Sequence, residues 1–155
     1  MDTPDRIERE LILPAARERV WAALTQAEGL SAWFGTAASI DLRPGGAVTF
    51  VWDERGGVRH TNPGLVEIVE APHRFAFRWR PFEGYEHLPL TEGPTTRVEF
   101  TLEPHPAGTR LRLVESGFAS LPGDLRGPVH EGNVRGWQRE LGELVAYLAS
   151  GSEPR

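Results

Sequence analysis

The sequence predicts an α+β fold in which a curved antiparallel sheet wraps around one long C-terminal helix. Three features indicate this architecture. One strand and two short helices come first, apolar residues then alternate with period two over residues 36–116, and the last segment carries an apolar stripe at helical spacing. The predicted order is therefore β-α-α-β6-α. We expect one domain over residues 1–150 and a disordered tail at 151–155.

The N-terminal elements are a strand and two short helices. The strand runs from Arg6 to Leu13, and Pro14 ends it because proline cannot donate a hydrogen bond to a neighbouring strand. The apolar residues of the first helix recur at helical spacing, as Val20, Trp21 and Leu24. The second helix ends before Gly35 and carries Leu30, Trp33 and Phe34.

The alternating region predicts six strands. They lie near Ala37 to Leu42, Ala47 to Asp53, Thr61 to Val69, Arg74 to Arg80, Thr96 to Glu103 and Thr109 to Ser116. The shorter connections contain Pro or Gly, at Pro44 to Gly46, Arg55 to Gly57, Ala71 to Pro72 and Pro104 to Gly108. The longest connection, Pro81 to Pro94, is a candidate lid over a pocket.

The final helix is predicted over Pro128 to Ala149. Its stripe consists of Val134, Trp137, Leu141, Leu144, Val145 and Leu148. Because the strands offer an apolar face of comparable length, this helix should lie across the sheet.

The composition excludes several kinds of chemistry. The chain has 155 residues, of which 39% are hydrophobic and 25% charged, as in ordinary globular domains. It has no cysteine and no lysine, so disulfides, thiolate chemistry and Schiff bases are excluded. Its five histidines show no metal-site spacing, and we predict neither a metal nor a cofactor.

The charge pattern bears on partners and location. A net charge of −5 and scattered arginines argue against a nucleic-acid partner. No apolar stretch is long enough for a membrane span, and the charged N-terminus is unlike a signal peptide, so we expect a cytoplasmic protein with no membrane partner.

Several strings in order resemble one known family. They are IERELILPAARERVWAALTQAEGLSAWFG, LRPGGAVTFVW, GLVEIVEAPHRFAFRW, TRVEFTLEPHPAGTRLRLVESGF and GWQRELGELVAYL. Together they resemble the START-like (SRPBCC) superfamily with its helix-grip fold, as in Bet v 1, and within it the family of the activator of Hsp90 ATPase, homologue 1. The resemblance implies an internal cavity that binds apolar molecules in many relatives. It implies no single activity, because relatives include carriers, sensors, cyclases and chaperone regulators.

Strand parity predicts which residues face the helix and could line such a cavity. The candidate ligand-binding residues are Trp33, Phe34, Phe50, Trp52, Phe77, Trp79, Phe100, Leu113, Glu115, His130 and Trp137. For most of the aromatic residues, ordinary core packing is the competing interpretation. Arginines and glutamates of the opposite parity should form cross-strand pairs on the solvated face.

Two polar candidates differ from the rest. Glu115 shares the parity of Leu111 and Leu113, so its carboxylate should point inward and needs a partner. His130 or an arginine could be that partner. His130 lies on the side of Val134 and Trp137, although a surface position at the helix start is the preferred interpretation.

Three functions remain open at this point. The preferred one is non-catalytic binding of a small hydrophobic or aromatic molecule between the sheet and the C-terminal helix. The second is an enzyme similar to polyketide cyclases and aromatases, which would require Glu115 and His130 inside the pocket. The third, implied only by the family name, is a regulator of an Hsp90-type chaperone. The outer face of the sheet could support a homodimer.

Overall fold

The order of the elements follows the sequence pattern closely. The computed structural model describes residues 4–53, 57 and 59–150. The strands are β1 Arg6–Leu13, β2 Ala37–Ile40, β3 Ala47–Asp53, β4 Arg59–Glu70, β5 Arg74–Trp79, β6 Thr96–His105 and β7 Gly108–Ser116. The helices are α1 Arg17–Thr25, α2 Ala27–Trp33 and α3 Gly123–Ala149, with a short 3-10 turn at Phe118–Ser120. The predicted α+β helix-grip order is confirmed.

Two predicted features fall on residues that the structure does not describe. The turn at Arg55 to Gly57 lies outside the described residues except for Gly57, and the tail at 151–155 lies outside them entirely.

The strands of the described chain form one seven-stranded antiparallel sheet in the order β1-β7-β6-β5-β4-β3-β2. A shift of register between Val66 and Ile68 marks a bulge in β4 where it pairs with β5. Such bulges bend a strand and increase its twist, which favours a curved sheet.

The inner face of the sheet follows the predicted parity. Its buried residues include Val48, Phe50, Phe75, Phe77, Trp79, Val98, Phe100, Leu102, Leu111 and Leu113. They share one core cluster with Trp137, Leu141, Leu144 and Leu148 of α3. The apolar stripe of α3 is therefore buried together with the inner face of the sheet.

Helix α3 differs from its prediction in two respects. It begins at Gly123, five residues before the predicted start, and Pro128 lies inside it. Proline removes one hydrogen bond there, to the carbonyl of Asp124, without ending the helix. Val145, predicted to belong to the buried stripe, is 36% exposed. It lies at the edge of the stripe, because the buried positions run through Glu140, Leu141 and Leu144.

The outer face of the sheet carries the predicted cross-strand ion pairs. Arg74 donates to Glu99, and Arg97 donates to both Glu67 and Glu99. Arg78 donates to the second oxygen of Glu67. These contacts link β4, β5 and β6 in one network, which we call the outer ion-pair network.

Candidate functional site

A cavity of about 1470 Å³ lies among α3, the strands β3 to β5 and the connection after β5. Phe34 at the end of α2 also lines it. The cavity opens to solvent, because lining residues such as Glu83 and Arg139 have side chains that are 82% and 67% exposed. Its depth is formed by buried aromatic residues.

Several aromatic side chains line the cavity, and we call four of them the aromatic wall: Phe34, Trp52, Trp79 and Trp137. Phe34 is stacked on Trp137, with ring centroids 5.2 Å apart and planes 13° from parallel. Its ring also meets Trp52 edge-on at 5.1 Å. Trp52 and Trp79 reach the cavity because they have the inward parity of β3 and β5. All four residues were predicted from the sequence.

Glu115 on β7 lies next to this wall and is fully buried. Trp137 Nε1 donates to Oε1 at 2.8 Å, and Trp79 Nε1 donates to Oε2 at 2.9 Å. Thr96 Oγ1 donates to Oε2 at 2.6 Å, and Asn133 Nδ2 lies within 3.0 Å of both oxygens. Two tryptophans of the aromatic wall are thus fixed by one carboxyl group.

The environment of Glu115 opposes ionisation. Burial raises the pKa of its carboxyl above the ordinary value, although the hydrogen bonds from Thr96, Trp137, Trp79 and Asn133 lower it in part. The inward orientation of Glu115 was predicted correctly, but its partner was not. The side chains that bind it are neutral donors, and neither His130 nor an arginine is among them.

Glu140 is a second buried carboxylate at the cavity, and the sequence analysis missed it. Its side chain is 9% exposed, and its Oε1 accepts a hydrogen bond from Trp52 Nε1 at 3.0 Å. The helical spacing of the sequence could have indicated its buried position. Glu140 follows Trp137 by three residues and precedes Leu144 by four, so it lies on the buried face of α3.

Arg80, just after β5, was also missed as a site residue. It is 3% exposed, and all three guanidinium nitrogens donate to backbone carbonyls of the following connection. The acceptors are the carbonyls of Tyr85, Leu88, Pro89, Glu92 and Pro94. The predicted lid segment is therefore organised around one buried arginine, and several of its residues line the cavity.

The remaining predicted site residues lie away from the cavity lining. Trp33 is buried in the core cluster, and its Nε1 donates to the carbonyl of Ala23 at 2.8 Å. The other apolar residues that were predicted for the site pack in the core cluster. They are Phe50, Phe77, Phe100 and Leu113.

His130 lies at a different place from Glu115. Its ring meets Phe118 edge-on at 4.9 Å, and its Nε2 is 3.3 Å from the carbonyl of Arg6. The pairing of His130 with Glu115 that the sequence left open is therefore not found. Asn133, nearly one turn later on α3, occupies the position beside the carboxylate.

Within the described residues, no group of three or more histidine, aspartate or glutamate side chains is arranged to hold a metal ion. No helix of the same part of the chain combines the length and apolarity needed to cross a membrane.

Comparison with known proteins places the chain in a family. The sequence model described as "Activator of Hsp90 ATPase homolog 1-like protein" matches residues 14–149. The chain belongs to this family. The match confirms the family resemblance found in the sequence. No curated protein matches this chain in sequence.

Solved structures similar to this chain share its fold. Protein CV1439 from Chromobacterium violaceum has 23% identity and a TM-score of 0.75, with 94% of this chain and 98% of that chain covered. Protein NE0264 from Nitrosomonas europaea has 23% identity and a TM-score of 0.76, with 97% and 98% covered.

A third similar structure is DynU16, a protein in the dynemicin biosynthetic locus. It has 26% identity to this family member and a TM-score of 0.72. The match covers 96% of this chain but 49% of DynU16, so the chain spans about half of that protein.

Proposed function

We propose that this protein binds a small, largely apolar molecule in the cavity without catalysing a reaction on it. The aromatic wall carries this proposal. Apolar and aromatic linings with a few placed polar groups are typical of small-molecule sites. Because Glu115 holds Trp79 and Trp137, and Glu140 holds Trp52, three of the four wall residues are oriented before a ligand arrives.

The preference for binding over catalysis rests on the same contacts. Both oxygens of Glu115 already accept hydrogen bonds from protein donors, so the carboxyl group is occupied by holding the wall. His130, the other candidate acid or base, contacts Phe118 and the start of β1. The pair that a cyclase-like mechanism would use is therefore separated.

A cyclase-like enzyme is the second candidate, and one observation favours it. DynU16, with 26% identity, comes from a biosynthetic locus. Such a role here would need a reactive group that lines the cavity, and His60 and Glu140 are the residues to test. Catalytic turnover of a bound molecule, seen by mass spectrometry and lost in His60→Ala or Glu140→Gln, would favour this role over binding.

Two glycines of α3 provide a test of the binding proposal. Gly136 lines the cavity, whereas Gly142 is exposed, and a Cβ at either position meets no atom within 4 Å. Gly136→Leu should fill part of the cavity, and Gly142→Leu should leave it open. Both substitutions replace a helical glycine, so each should stabilise the protein by about 0.5–1 kcal/mol.

The measurement is binding of the neutral fluorescent probe N-phenyl-1-naphthylamine, together with native mass spectrometry of the purified protein. We expect the wild type and Gly142→Leu to bind the probe or a co-purifying molecule. Gly136→Leu should bind at least several-fold more weakly while remaining as stable as its control. Equal binding by the two variants would place the ligand elsewhere, and no binding by the wild type would refute the proposal.

A further inference from the structure

Acidic side chains outnumber arginines among the residues that line the cavity. The lining residues include four carboxylates, at Asp53, Glu83, Glu86 and Glu140. They also include two arginines, Arg80 and Arg139. The balance of formal charge is therefore negative at an aromatic site.

Neither arginine is arranged to bind an anion inside the cavity. The guanidinium of Arg80 uses all three nitrogens on backbone carbonyls. Arg139 is 67% exposed, and its Nε is 3.6 Å from Glu140 Oε1, so most of its charge is solvated at the mouth. Among the described residues, no free guanidinium lines the depth of the cavity to receive a carboxylate or phosphate.

Glu140 has the opposite character. Its side chain is nine-tenths buried, and Oε1 accepts the hydrogen bond from Trp52. No described residue donates a hydrogen bond to Oε2, and this oxygen is not fully enclosed by the protein. One carboxylate oxygen beside the aromatic wall is thus accessible to a donor from a ligand.

Aromatic faces next to a partly desolvated carboxylate are the arrangement that recognises organic cations. The indole rings attract positive charge through their faces, tryptophan more strongly than the other aromatic residues. Trp52, which is partly exposed, supplies such a ring, and the buried Trp79 and Trp137 line the same cavity. The N–H groups of all three are turned to carboxylates.

From this geometry we infer that the cavity selects an organic cation: an apolar or aromatic amine in its ammonium form, bound over the aromatic wall with its N–H directed to Glu140 Oε2. This inference rests on the proposed binding function and names the class of ligand for the same site.

The test compares three probes of one shape on the intact protein by calorimetry: a naphthalene ring carrying a methylammonium, a hydroxymethyl or a carboxylate group. The ammonium probe should bind about tenfold more tightly than the neutral alcohol, and the carboxylate more weakly than either. This comparison on the wild type needs no variant.

Two variants separate the cavity charge from the overall charge. Glu140→Gln removes the charge but keeps an oxygen that can accept the Trp52 N–H, and it should remove most of the preference for the ammonium probe. Glu143→Gln makes the same change of charge on the exposed side of α3 and should retain the preference.

The outcomes distinguish the two proposals. If the neutral alcohol binds but the ammonium probe binds no better, the cation inference is wrong and apolar binding stands. A preference that survives in Glu140→Gln, or disappears equally in Glu143→Gln, also overturns it. If none of the three probes binds the wild type, both proposals fail.

Discussion

The protonation of Glu115 should make the stability of the protein depend on pH. Its pKa is raised in the folded state by burial, from an ordinary value of 4.5. The folded protein therefore holds this proton more tightly than the unfolded chain does. The stabilisation is fully present below pH 4.5 and is lost as the pH rises through the folded-state pKa.

The substitution Glu115→Gln should remove this titration. Relative to the variant, the wild type should lose stability above pH 4.5, by at most about tenfold in the folding equilibrium constant per pH unit. Urea unfolding of both proteins between about pH 4 and 8 measures the difference. Parallel curves for wild type and variant would show that Glu115 does not take up a proton on folding.

For individual residues, the sequence predicted the direction of a side chain better than its hydrogen-bond partner. Period-two parity placed Glu115, Trp52 and Trp79 on the inner face because a strand fixes the side of every second residue. The partner of Glu115 depends on how α3 is rotated and shifted along the sheet, which parity does not determine. That is why Asn133, rather than His130, was found beside the carboxylate.

Among the elements, the connection from Pro81 to Pro94 depends on Arg80. Five carbonyls of this segment accept hydrogen bonds from its guanidinium. Arg80→Met keeps the apolar stem but removes the donors, so the carbonyls must turn to water. We expect faster amide hydrogen exchange in residues 82–93 and a loss of about 1–3 kcal/mol in the free energy of unfolding.

Arg112→Met is a suitable control because Arg112 is 54% exposed on β7, where it pairs with Glu8. It should change neither the exchange of the 82–93 segment nor the stability by more than about 1 kcal/mol. Unchanged exchange of that segment in Arg80→Met would mean that other contacts hold the connection.

The elements themselves were predictable where the pattern was regular. Residues Arg74 to Arg80 were predicted as a strand, and β5 spans Arg74–Trp79. The start of α3 was not predictable, because its first turns contain Gly127 and Pro128 and no apolar stripe. The packing of the later turns of α3, where Trp137, Leu141 and Leu144 are buried, outweighs these weak local preferences.

For the whole molecule, two kinds of carboxyl group act in opposite directions on stability. In the outer ion-pair network, the pKa of Glu99 is lowered from 4.5, and the hydrogen bond from Arg74 is the largest cause. Its stabilisation is present above that value and is lost as the pH falls through the folded-state pKa. Glu115 acts in the other direction, so the contribution of Glu99 declines as the pH falls below 4.5 and that of Glu115 declines as the pH rises above it.

Glu99→Gln tests the acid side of this profile. The variant should lose part of the acid-side slope and keep the decline caused by Glu115. Chemical unfolding between about pH 3 and 8 gives both limbs in one series. An acid-side slope that is the same in Glu99→Gln as in the wild type would contradict the role assigned to Glu99.

The contacts of Glu115 also bear on how a molecule reaches the cavity. One carboxyl group on β7 joins Trp79 of β5, Thr96 of β6 and two residues of α3. Lifting α3 from the sheet would break these bonds together and expose a buried acid. The proposed ligand needs no such movement, because the cavity already opens to solvent beside Glu83 and Arg139 while helix and sheet stay joined.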